Sequence, residues 1–172
     1  MTTIVWAPGD LVVASNEGID VRFAGVEITA EIPEHLQRAP GERGIRVHLA
    51  CVTSPATMEL HVNYMKALEA WGEQREMHGS DKVGRPPVRP GDVVLSAVKA
   101  NITDNHDTEY LLVAGRVAGT GSEWDGSWVF VPEPPVGVKH LTIEFTLNGE
   151  LTGKSCRVQL DLQWMDIEWA RR

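Results

Sequence analysis

The chain of 172 residues has only two cysteines, three phenylalanines and two tyrosines, and its basic residues are outnumbered by acidic ones, leaving a formal net charge of −8. Each shortage excludes something. Phosphate binding needs a concentrated Lys/Arg surface, and here even Arg85, Arg89, Arg171 and Arg172 are scattered or terminal, so no nucleic-acid partner is expected. No apolar run approaches the ~18 residues of a membrane helix. The opening Met1-Thr2-Thr3-Ile4-Val5-Trp6-Ala7-Pro8-Gly9-Asp10 has no basic region leading into an apolar core, so no export signal is read there. The expectation is a cytoplasmic chain with no membrane association.

Local signatures of catalysis are missing too. There is no Gly-x-Ser-x-Gly elbow and no phosphate loop, and Gly119-Thr120-Gly121 is too short for a dinucleotide fingerprint and precedes a strand. The histidines (His35, His48, His61, His78, His106 and His140) form no HxH or HExxH pair. An enzyme would have to disperse all of its machinery, and the chain is expected not to be one. Cys51 and Cys156 are each in phase with the apolar positions of a strand, so both are expected to be buried free thiols. A bridge between them stays open only if the chain is exported, and two such distant cysteines make a poor metal site.

What is present is strand grammar. Ile45, Val47, Leu49 and Cys51 alternate with Arg46, His48 and Ala50, which gives one buried face and one wet face that carries His48. Leu141, Ile143, Phe145 and Leu147 alternate in the same way, as do Val158, Leu160, Leu162 and Trp164. Between these last two runs Asn148-Gly149 is a hairpin signal, with Glu150 to Lys154 lengthening the loop. Over Ile19 to Ile32 the apolar phase switches at Ala24-Gly25, as a β-bulge would require. Val93 to Ile102 reads as a strand ending in the turn Asp104–Thr108, with Tyr110 to Ala118 as its hairpin partner.

One segment differs. Leu60, Tyr64, Ala67, Leu68 and Trp71 fall on one helical stripe, with Glu59, Asn63, Lys66, Glu69 and Glu73 opposite. Because Met58, Leu60 and Val62 also alternate, the helix is predicted only from about 64 to 78. It is expected to lie on a sheet, and Pro86, Pro87 and Pro90 then impose a loop. The whole reads as one domain over 1–172, with a helix and Pro-rich insertion at about 57–91. Seven to nine strands with one inserted helix make a mainly β, antiparallel sandwich.

Asp104 through Tyr110, the Gly-rich loop leading to Trp124–Phe130, and the Pro132–Pro135 group before an alternating strand give the second half a resemblance. It resembles the immunoglobulin-like β-sandwich module of uncharacterised actinobacterial proteins. The resemblance spans Asp92 to Leu147 and implies that fold, but no activity and no catalytic residues.

Two sets of residues are candidates for binding. Tryptophan outnumbers the other aromatics, with Trp6, Trp71, Trp124, Trp128, Trp164 and Trp169. Trp71, Trp128 and Trp164 sit in phase with core positions, while Trp124 in its Gly/Ser loop and Trp169 near the carboxyl end are better placed to anchor a partner; Trp128 is kept with them as a binding candidate. Asp104, Asp107 and Glu109 put oxygen ligands within one turn, which would suit Ca²⁺ as the one cofactor, although Asp and Asn in such a turn commonly bond their own backbone. The leading expectation is a non-catalytic sandwich that acts through protein–protein contacts in an accessory or assembly role, with self-association left open. The alternatives are a carbohydrate-binding module carrying a structural calcium and an enzyme with a dispersed site.

Overall fold

Alternation with a period of two becomes two antiparallel sheets. The computed structural model describes residues 2–9 and 11–162. Its strands are β1 (Thr2–Trp6), β2 (Val12–Asn16), β3 (Ile19–Thr29), β4 (Gly44–Cys51), β5 (Val98–Thr103), β6 (Leu111–Thr120), β7 (Glu123–Val131), β8 (His140–Leu147) and β9 (Glu150–Leu162). A four-stranded sheet has the order β1-β9-β8-β5, and a five-stranded sheet has the order β2-β3-β4-β7-β6. Helices α1 (Pro55–His78) and α2 (Pro90–Leu95) link β4 in the second sheet to β5 in the first.

The two sheets share one core. From the five-stranded sheet come Val21 and Phe23 of β3 and Ile45, Val47 and Leu49 of β4. From the four-stranded sheet come Leu141, Ile143 and Phe145 of β8, all fully buried. Phe23 and Phe145 meet edge to face, with ring centroids 6.0 Å apart, which adds a directional contact to the apolar burial. Cys51 and Cys156 belong to this core as buried, unbridged thiols. Burial, aided at Cys51 by the Asp125 charge, pushes the Cys51 thiol up to about 12, and burial alone pushes Cys156 up to about 11. Neither is a ready nucleophile.

The phase switch in β3 is a register shift between Phe23 and Gly25, and Gly25 takes φ +127. The β8–β9 turn is tighter than its sequence suggests. Asn148 (φ 52) and Gly149 (φ 84) close it alone, with Leu147 paired to Glu150. The polar residues after Glu150 are taken up inside β9 by a register shift between Glu144 and Thr146.

The helices need the largest corrections. α1 starts at Pro55, nine residues before the predicted helix at 64, because Ser54 and Thr57 form a capping box. Thr57 Oγ1 accepts from the Ser54 backbone N–H at 2.9 Å, the Ser54 hydroxyl accepts from the Thr57 N–H at 3.4 Å, and Pro55 fills the first helical position. This start overrides the alternation of Met58, Leu60 and Val62. A second helix, α2, replaces the first part of the predicted 93–102 strand: Pro90 opens it, and Val94 and Leu95 are fully buried. The insertion therefore carries two helices, not one.

Candidate interaction surface

α1 is a long helix with little underneath it. Among its 24 residues only Thr57 is buried. The predicted stripe does turn toward the body, but Leu60, Tyr64, Leu68 and Trp71 are only half-buried and Ala67 is exposed. The expectation of a helix seated on a sheet is thus corrected. Trp71 is not a core residue: its Nε1 donates to the Gly84 carbonyl at 2.9 Å, and the Arg75 guanidinium sits over its ring at 5.4 Å. The indole clamps the Pro-rich loop back onto the helix, and the cation–π contact holds Arg75 there.

Beside the half-buried stripe runs an exposed apolar one. Met58, Val62 and Met65 are 50%, 45% and 49% exposed. Their spacing of four and three residues keeps them on one face of the helix. On one flank, α1, α2 and the β6–β7 hairpin enclose an apolar pocket of about 220 Å³, walled by His61, Tyr64 and Met65 and floored by Trp124. Pro90 and Gly91 of α2 complete it, with the Arg89–Asp92 ion pair (2.7 Å) at that end. Gly91 is what lets the helix approach, since a Cβ there would meet the Trp124 side chain at 3.0 Å.

Trp124 is therefore corrected from an exposed loop residue to a buried one, 6% exposed. It lies in β7, not in a loop, and its Nε1 donates to the Gly121 carbonyl at 2.8 Å. It serves the surface from below, as the pocket floor. Trp128 is also buried, 7% exposed, in the core between the sheets. Its ring covers Gly115 across the β6–β7 pair, where a Cβ would come within 2.1 Å of it. Neither ring can stack on a ligand in solution. Trp164 and Trp169 lie outside the described residues.

The acidic turn is spent on itself. One Asp104 oxygen accepts from the backbone N–H groups of His106 (2.8 Å) and Thr108 (3.1 Å), and the other accepts from the Tyr110 hydroxyl at 2.7 Å. Partial burial resists ionisation of Asp104, but the hydrogen bonds from Thr108, Tyr110 and His106 outweigh it and bring the carboxyl down to about 2. Asp107 occupies the left-handed region at φ 54, which Asp tolerates. Among the described residues no three His, Cys, Asp or Glu side chains converge, so Asp104, Asp107 and Glu109 do not assemble the calcium site the sequence invited.

A second concavity, of about 420 Å³, lies on the outer face of the five-stranded sheet. Register lines up His48, Ser127 and Arg116 across β4, β7 and β6, with Asp125 in the neighbouring row. Arg46 is already held by Glu27 (3.0 Å) and Glu31 (3.1 Å), and His48 Nε2 lies 3.3 Å from Glu27. No hydrogen bond joins Ser127 to His48 among the described residues, and His48 faces Glu27 instead. The sequence pointed to His48 as a wet-face residue but could not gather these partners from four strands.

The apolar face of α1 was the feature missed. Its signal was present in Met58, Val62 and Met65 at helical spacing, hidden because the same residues also fit a strand. Compared with protein-family models, curated proteins and solved structures, the chain matches none of them.

Proposed function

We propose that this chain is a non-catalytic protein-interaction module with an accessory or assembly role, and that α1 with the pocket beside it is its contact surface. The observation that carries this reading is a 24-residue helix that buries one residue and leaves Met58, Val62 and Met65, on one face, about half in water. Isolated helices are marginal in water and most helices are held by packing of an apolar face, so such a face gains from being covered. The two sheets around one core support taking the fold as an immunoglobulin-like sandwich. The carbohydrate alternative needs exposed coplanar rings, and Trp124 and Trp128 are buried. The enzyme alternative needs an activated group, and Asp104 and Arg46 are each already engaged by neighbours, the Tyr110 hydroxyl and the Glu27 carboxylate.

The test is affinity capture of the tagged chain from its native host, beside the variant Met65→Glu. A stoichiometric protein that is held by the wild type and lost with the variant supports the reading. A partner retained equally by both, with the variant's melting temperature unchanged, removes α1 from the interface.

A further inference from the structure

The exposed face of α1 does not end at Met65. Continuing the same spacing, Glu69, Glu73 and Glu76 follow Met58, Val62 and Met65 along one side of the helix, over about 27 Å at 1.5 Å per residue. All three glutamates are exposed, and none has an ion-pair partner among the described residues. Arg75, the nearest cation in sequence, is turned over the Trp71 ring. Lys66 lies on the same helix without bridging to any of them.

This arrangement is unfavourable for the helix alone. Carboxylates one turn apart repel one another. The carboxyl end of a helix also carries the negative pole of its dipole, where Glu76, in the last turn of α1, has the wrong sign. Removing that repulsion requires positive charge from outside. The neighbouring half of the same face requires apolar contact.

We propose that this face takes a basic amphipathic segment of a partner protein. Its apolar side chains would cover Met58, Val62 and Met65 and enter the pocket floored by Trp124, and its Lys or Arg residues would lie against Glu69, Glu73 and Glu76. The inference rests on the interaction-module reading and names the chemistry of the partner. Charge complementarity selects this occupant over the others. A second copy in parallel would set one acidic run on another, and in antiparallel it would set carboxylates on methionines. Nucleic acids and anionic lipid surfaces carry the wrong charge.

The experiment titrates the full chain into a fluorescein-labelled helical peptide of about five turns, with Leu on one face and Lys on the other, and reads fluorescence anisotropy. A matching Leu/Glu peptide is the comparison. The Leu/Lys peptide should bind and weaken with added salt, and the Leu/Glu peptide should not bind. The variant Glu69→Lys/Glu73→Lys/Glu76→Lys should weaken the Leu/Lys complex by roughly tenfold or more. The control Glu34→Lys/Glu144→Lys/Glu150→Lys makes the same change in net charge on other exposed residues and should stay within about twofold.

Equal loss in the two triple variants would reduce the effect to overall charge and overturn the proposal. Failure of the Leu/Lys peptide to bind, or equal binding of both peptides, would overturn it as well. If the host partner is lost with Met65→Glu but kept by the α1 triple variant, the basic-partner inference falls while the module reading stands. A host partner indifferent to both variants removes the module reading itself.

Discussion

Strand β4 and helix α1 are consecutive in the chain and are held in opposite ways. Over the eight residues Gly44–Cys51, β4 buries Gly44 and four side chains, lies between β3 and β7, and contributes three nearly inaccessible residues to the core. Over 24 residues, α1 buries Thr57 and little else. It is held by a capping box at one end and by Trp71 gripping the Pro-rich loop near the other. The strand cannot be removed without splitting the five-stranded sheet and opening the shared core. The helix can change its surface freely, and that freedom is where a partner can be recognised.

Truncating Phe145 to Ala attacks the shared core and should cost roughly 3–5 kcal/mol. Leu68→Ala on the half-buried side of α1 should cost less than about 1 kcal/mol. Urea denaturation of the two variants checks this directly, and equal losses would erase the contrast. Next in size is Gly115→Ala. The new methyl would press into the Trp128 ring, and overpacking of this kind should cost about 1–3 kcal/mol.

Asp104→Ala should follow at about 1–2 kcal/mol, since it strands the Tyr110 hydroxyl and two backbone N–H groups, with partial exposure limiting the loss. The pH dependence has a definite sign. The folded carboxyl lies at about 2 against an ordinary 3.8, so the native state binds the proton less well than the unfolded chain. Its stabilisation is complete above the ordinary value and disappears as pH falls from about 4 to about 2. Stability measured over that window should drop less steeply in Asp104→Asn. Smallest and most local, Ser54→Ala should cost about 1 kcal/mol or less. It should appear as lost helical signal in far-ultraviolet circular dichroism before any loss of near-ultraviolet signal from the core tryptophans. A simultaneous loss of both would mean that α1 is part of the cooperative body after all.

The strands were legible because a sheet with one wet face writes a period of two into the sequence. Ile45 to Cys51 and Leu141 to Phe145 are buried on the face that their alternation indicates, while at the end of β8 Thr146 is buried and Leu147 only half-buried. The bulge at Ala24-Gly25 was legible as a switch of parity. The start of α1 was not, since Met58, Leu60 and Val62 satisfy both periods and a hydroxyl three residues away settles the matter. α2 was hidden for a related reason. Val93, Val94 and Leu95 are good strand residues, and only the proline at its first position argues for a helix.

Sequence alone determined which face of β4 and of β8 would leave water and where β3 would bulge. It also indicated that Cys51 and Cys156 would be core thiols. It wrongly joined β5 and β6 as a hairpin across Asp104–Thr108: β5 pairs with β8 and β6 with β7, in different sheets, because the turn crosses from one sheet to the other. Tertiary structure decided what each exposed-looking residue does. It brought α2 and the β6–β7 hairpin together so that Trp124 became the floor of a pocket, and it turned Asp104 inward on Tyr110 instead of outward to a cation. It also left one face of α1 uncovered. The physical reason is that alternation and propensity act over a few residues, whereas burial depends on which distant strand or helix arrives on the other side.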